Sequence, residues 1–180
     1  MDNNLTPRLL DHRLIDRAYP LVRNILPCIS LERWSEFAKP HLAARSPKWP
    51  RGLMTIQNAA GYILGLFSFE VRDDLHSDRT LLVDNVIVPD MPGHELIWTA
   101  IVTTSETLAL MNGCRAIRIG LAGDLDPIDR DRTWLVSSLA KAGYVIEGVR
   151  ATRRVSHDAE GELPEAAQSA SRDWSARGHQ

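Results

Sequence analysis

The sequence predicts a mixed α/β fold of three layers, with a central, mostly antiparallel sheet flanked by helices. Three observations carry the prediction. Two helical runs open the chain, two strand-like runs joined by a turn follow, and strand–helix units close it. At 180 residues and 20.1 kDa the chain is long enough for one domain and short for two. An apolar fraction of 44% with 24% charged residues excludes a disordered chain, a collagen-like repeat and a disulfide-dense miniprotein. Lys and Arg total 21 against 23 Asp and Glu, so the net charge of −2 gives no electrostatic footprint for nucleic acid or an anionic membrane.

From Asp11 to about Arg45 the pattern is helical. Leu14, Ala18, Leu21 and Ile25 recur at helical spacing, which predicts a core-facing stripe. Pro20 inside this run predicts a kink or short interruption, and Pro27 and Cys28 break the pattern. Ser30 stands where its hydroxyl can cap a second helix running toward His41. The segment Ser46-Pro47-Lys48-Trp49-Pro50 reads as a loop, because two prolines remove donors and push their predecessors toward extended forms. Residues 53–56 and 62–71 read as an antiparallel hairpin across the turn residues 57–61, with Gly65 as a bulge or close-approach point. Residues 73–79 read as a charged, exposed connection. Residues 81–88, LLVDNVIV, form the next strand, apolar apart from Asp84 and Asn85, and Pro89 to Gly93 end it.

A long helix is predicted from about Glu95 to Asn112, burying Ile97, Ile101, Thr104, Leu108 and Met111, with Gly113 at the stop position. A strand over 116–121, an acidic loop over 124–131 and a helix over 133–142 closed by Gly143 follow. A last strand runs over 144–149, with 150–155 pairing after a turn or bulge. From Ser156 onward apolar periodicity is lost, so residues 1–155 read as a single domain and 156–180 as a flexible polar tail. Cys28 and Cys114 lack CxxC spacing and read as small buried apolar side chains. No apolar run approaches the ~18–20 residues of a membrane helix, and the amino terminus lacks a signal-peptide core. A soluble cytoplasmic protein is expected.

The run LLVDNVIVPD, a loop, an amphipathic helix and then NGCRAIRI resembles the core of the GNAT-type N-acetyltransferases. Downstream, SSLAKAGYVIEGV resembles that family's closing helix and its Gly-aromatic step, here Gly143-Tyr144. The resemblance spans roughly Leu9 to Val155. It implies a three-layer GNAT-like fold, acetyl-CoA or another acyl-CoA as co-substrate, and direct acyl transfer to a small-molecule or protein amine. It implies no metal, no nucleic-acid or membrane partner, and edge strands able to pair into a homodimer. Pantetheine would pair with the main chain of residues 81–88, at Val86, Ile87 and Val88. The pyrophosphate would sit where the next helix opens, at Gly93, His94 and Glu95, because orphan amides and the helix dipole favour anions there.

The family's signature at that point is Arg/Gln-x-x-Gly-x-Gly/Ala, and the matching positions here are Gly93, Leu96 and Trp98. Glu95 beside a phosphate would repel it. Two readings stand: a remodelled loop that still holds CoA through the Gly93 and His94 amides, or a pocket filled by Leu96 and Trp98. The second would make the chain a non-catalytic module for protein interaction or ligand sensing.

Transfer to an amine needs a neutral nucleophile, a polarised thioester carbonyl and a proton for the departing thiolate. The resemblance points to Asp84 as general base, against the alternative of a solvated or strand-facing carboxylate. Glu70 is a second carboxylate near a strand end. Where many relatives carry a Tyr as proton donor this chain has Leu139, and neighbouring Ser138 is the residue able to hydrogen-bond a sulfur. Tyr144 reads as core. The six histidines are scattered without i, i+4 pairing. GDLDPIDRD lacks the glycine and closing glutamate of a calcium loop, and no P-loop or nucleophile elbow occurs.

Overall fold

A computed structural model describes residues 5–43, 50–75, 78–120 and 133–145. The chain divides into two units, Met1–Asp129 and Arg130–Gln180. The domain boundary expected at residue 155, the acidic loop, the last strand and the tail lie outside the described residues.

In the first unit, strand β1 (Thr6–Leu9) leads through a single 3₁₀ turn (His12–Leu14) into helices α1 (Ile15–Ile25) and α2 (Leu31–Ala43). Strands β2 (Arg51–Gln57), β3 (Ile63–Asp74) and β4 (Asp78–Ile87) follow. Helix α3 (His94–Met111) then crosses over to β5 (Ala116–Ile119). The sheet order is β1-β2-β3-β4-β5, antiparallel throughout except for the parallel β4–β5 pair that α3 connects. The second unit carries α4 (Thr133–Lys141), closed by Gly143 at φ 83° as its C-terminal glycine predicts.

Alternation along the strands builds two apolar layers. Met54, Phe67, Phe69, Leu81 and Val83 face α3, where Ile97 and Ile101 meet them. Leu53, Leu66 and Ile87 face the other way, against Ile15, Ala18 and Val22 of α1 and Trp34 of α2. Buried Trp34 donates its indole N–H to the Ile15 carbonyl at 2.8 Å, so the ring ties the two helices together without an unsatisfied polar group.

The α1 stripe is shifted from the predicted one. Ile15, Ala18 and Val22 are buried, Leu14 and Leu21 are half-buried, and Ile25 is exposed. Both sets fit a 3.6-residue period and share Ala18, so periodicity alone could not separate them. The interruption expected at Pro20 is absent. Pro20 and Asp16 both lie on the exposed side, where water can satisfy the carbonyl that loses its partner. Ser30 caps α2 as its chemistry predicts, its hydroxyl oxygen accepting the Arg33 N–H at 3.1 Å. Ser30→Ala removes that acceptor. Thermal denaturation should show a loss of about 1 kcal/mol, or roughly 2–4 °C for a chain of this size, with Ser30→Asp retaining most of the stability.

One strand has no counterpart in the sequence reading, and three further expectations are corrected. Strand β1 carries no strong signal in sequence, because Pro7 and Arg8 occupy the exposed edge where proline is tolerated. Residues 73–79 are largely strand rather than loop: β3 and β4 pair out to Asp74 and Asp78, and the charges form Arg118–Asp74 and Arg115–Asp78 ion pairs across to β5. Met111 is 78% exposed because the buried stripe of α3 runs through Ile97, Ile101, Ser105 and Ala109, and a residue two positions past Ala109 turns away from it. Cys28 is exposed on the α1–α2 connection, whereas Cys114 is half-buried against the α3 layer.

Candidate functional site

Strand β4 changes phase in its second half. Up to Asp84 it pairs with β3 in regular register, with Ser68 opposite Asp84. Beyond it, Leu66 faces Ile87, so β4 carries one residue more than β3 across the same span. Asn85 sits at this bulge with φ 52°, a left-handed conformation that asparagine adopts more readily than most residues. The extra residue inverts the alternation. Leu81 and Val83 point to the α3 layer, while Ile87, of the same parity, packs on the α1–α2 side, and Val86 and Val88 turn toward α3.

At the same place β4 loses its other neighbour. The β4–β5 pairing runs from Thr80 opposite Ala116 to Val83 opposite Ile119, and the Gly120 N–H closes onto the Val83 carbonyl at 2.7 Å. Among the described residues β5 does not follow β4 further, although β4 continues to Ile87 against β3. Among the described residues the β4–β5 register thus ends at Val83, one residue before Asp84, while β4 runs on through Val86 and Ile87.

The sheet face that carries Asp84 is polar beyond the reach of α1 and α2. Register places Ser68, Glu70 and Arg72 of β3 on the same face as Leu82 and Asp84 of β4. Glu70 and Arg72 form an ion pair at 2.6 Å. The Arg72 guanidinium pKa is raised above its usual value, first by the hydrogen bond to Glu70 and then by its charge, with Asp84 adding a smaller attraction. Both carboxylates singled out in sequence thus belong to one patch. Glu70 is committed to Arg72, whereas Asp84 is half-buried at the bulge. Burial raises the pKa of the Cys114 thiol, with Arg79 opposing the shift, so this cysteine is a poor nucleophile at neutral pH.

Gly93 caps α3 at φ 90°, and a Cβ placed there would meet nothing within 4 Å. The approach to this corner is open, and only glycine adopts its conformation without strain. Part of the amide array is satisfied internally: the His94 N–H donates to the Met91 carbonyl and the Leu96 N–H to the Gly93 carbonyl, both at 3.0 Å. The electrostatics are unusual for a phosphate site. Between Arg79 and Arg115 the sequence holds no lysine or arginine, and Glu95 occupies the first turn of the helix. Leu96 is 46% exposed, and Trp98 is 3% exposed. The two side chains that could have filled one cavity together therefore part company at the helix surface.

Of the residues predicted from sequence, Asp84, Val86 and Ile87 lie on the bulged half of β4, and Val88 follows directly. Gly93, His94 and Glu95 form the corner where α3 begins. Ser138 lies on α4 in the second unit, half-buried, with its carbonyl accepting the Ala142 N–H at 3.1 Å. Sequence reading missed Ser68 and Asn85. A polar Asp-Asn step inside an apolar strand was the available signal for a bulge. A serine within a strand carried none. No group of three or more potential metal ligands occurs among the described residues, and no described helix is long and apolar enough to cross a membrane.

No protein-family model matches the chain, and no curated protein matches it. Solved structures do. The aminoglycoside N-acetyltransferase AAC(6')-Iy in complex with CoA superimposes with a TM-score of 0.64 at 12% identity, covering 84% of this chain and 95% of that one. The same acetyltransferase in complex with the bisubstrate analog CoA-S-monomethyl-acetylneamine gives 0.64 at 12%, covering 85% and 99%. Glucosamine-6-phosphate N-acetyltransferase from Arabidopsis thaliana gives 0.62 at 9%, covering 85% and 99%. Likeness at such identity speaks for architecture: the chain has the fold of the GNAT acetyltransferases. The three-layer expectation, with its mostly antiparallel sheet, holds.

Proposed function

We propose that this protein is a divergent GNAT-type N-acetyltransferase that moves an acyl group from acyl-CoA to an amine. The observation that carries the reading is the bulge at Asn85, from which β4 leads through Val86–Val88 into an open Gly93 corner. The main chain of that stretch can pair with the amides of an extended pantetheine arm, as an added strand would. The residues present fit that arm at Val86, Ile87 and Val88. At the phosphate end the His94 N–H is held by Met91, so the Gly93 and Glu95 amides and the α3 dipole would have to serve, which favours weak binding.

Acyl-CoA supplies the thioester carbon that is attacked. Asp84 would accept a proton from the substrate ammonium, directly or through one water, leaving a neutral amine. The new C–N bond forms as the C–S bond breaks, and the thiolate takes up the proton that the acylated amine releases. The neighbour solved with an acetylneamine bisubstrate analog supports a small-molecule amine as acceptor.

Thermal denaturation with CoA and acetyl-CoA tests the reading. Ligand at ten times its Kd should add about 1.4 kcal/mol, raising Tm by roughly 3–6 °C. Glu95 in the first turn of α3, within a stretch of sequence that holds no lysine or arginine between Arg79 and Arg115, favours a second reading, a GNAT-fold module that senses or binds without catalysis. No shift at millimolar CoA would decide for it.

A further inference from the structure

We infer that Ser68 is a positioning residue for the acyl-donor site, acting as a staple that holds the β4 bulge in its ligand-binding geometry. The inference rests on the CoA reading above and deepens it. Ser68 lies on β3 directly opposite Asp84 and is 5% exposed. Its hydroxyl donates to the Asp84 carbonyl at 2.9 Å and accepts from the Asn85 side-chain amide at 2.9 Å. One buried oxygen therefore engages both residues around which the strand changes phase.

The physical need for such a device is clear. A left-handed residue in mid-strand is unfavourable for any residue but glycine, and an extra residue leaves backbone groups out of the ladder. The serine hydroxyl gives the Asp84 carbonyl a donor from the facing strand. The asparagine amide, anchored on the same oxygen, fixes the side chain of the residue whose φ makes the turn. Without the staple, β4 can relax toward other registers, and each would re-aim the Val86–Val88 main chain. Ser68 touches neither donor nor acceptor in this account. It acts through β4.

The test separates positioning from simple stability by using two ligands that meet different parts of the site. CoA requires the bulged strand, whereas 3′,5′-ADP lacks the pantetheine arm. Calorimetric Kd values should be measured well below the melting temperature for the unaltered protein, Ser68→Ala and Ser68→Thr. Ser68→Ala should weaken CoA at least tenfold and leave 3′,5′-ADP within twofold, with Ser68→Thr recovering most of the CoA affinity. Asn85→Ala, at an exposed position, should reproduce the selective loss if Ser68→Ala fails to fold. CoA affinity within twofold of the unaltered protein in both alanine variants overturns the inference, as does an equal loss for both ligands. If the unaltered protein does not bind CoA, the cofactor reading falls and takes the staple with it.

Discussion

Asp84→Asn should reduce acetyl transfer by about 100-fold or more, in the range removed when a general base is lost, while leaving the CoA dissociation constant within about twofold. The expectation follows from the place of Asp84 in β4. It is the last residue before the bulge, half-buried, on a face with Glu70 and Arg72. Asparagine keeps the shape and the β3 pairing but accepts no proton at neutral pH. The measurement is kcat/KM against pH for an acceptor amine, beside calorimetric CoA binding. A loss of kcat/KM across the profile with intact CoA affinity identifies the base. A variant that turns over normally would return Asp84 to a structural role, and Glu70→Gln would then be the next substitution to measure.

Gly65→Val should be the most destabilising single change in the sheet. A Cβ at Gly65 would lie 2.6 Å from the Ile97 Cγ2 atom and 3.6 Å from Ile56, closer to Ile97 than packed carbons approach. Helix α3 would have to lift from the sheet at its first turn, beside the Gly93 corner. Overpacking of this kind costs about 1–3 kcal/mol, and the valine branches place it at the upper end. At roughly 2–4 °C per kcal/mol for a chain of this size, melting should fall by about 6–12 °C. The milder Gly65→Ala allows a double-mutant cycle with Ile97→Ala. If the contact is the cause, the pair should cost at least ~1 kcal/mol less than the sum of its parts, and strict additivity would refute it.

Much of this architecture could be read before any coordinates. The amphipathic stripe of α3, the Gly113 stop, the β2–β3 hairpin and the close approach at Gly65 each rest on local chemistry that a sequence displays directly. What escaped depends on pairing between distant residues. The strand at Thr6–Leu9 becomes visible only once β2 is beside it. The ion pairs of Asp74 and Asp78 extend β3 and β4 because Arg118 and Arg115 arrive from 44 and 37 residues along the chain. The site was legible to the same degree. Asp84 and Gly93 stood out by type and place, but that Glu70 shares a face with Asp84, and that Ser68 holds the bulge, are matters of register. The alternative in which Leu96 and Trp98 fill one pocket joins them because they are close in sequence. A helix turns about 100° per residue, so residues two apart diverge.

The phase change in β4 also makes that strand sensitive to chain length in a way its neighbours are not. Val86, Ile87 and Val88 are in frame with the helical layers only because one surplus residue precedes them. Loss of a single codon at Asn85 would leave composition and hydropathy almost untouched, yet exchange the inner and outer sides of everything up to Pro89. Substitutions at Val86–Val88 keep this frame, whereas a one-residue deletion does not.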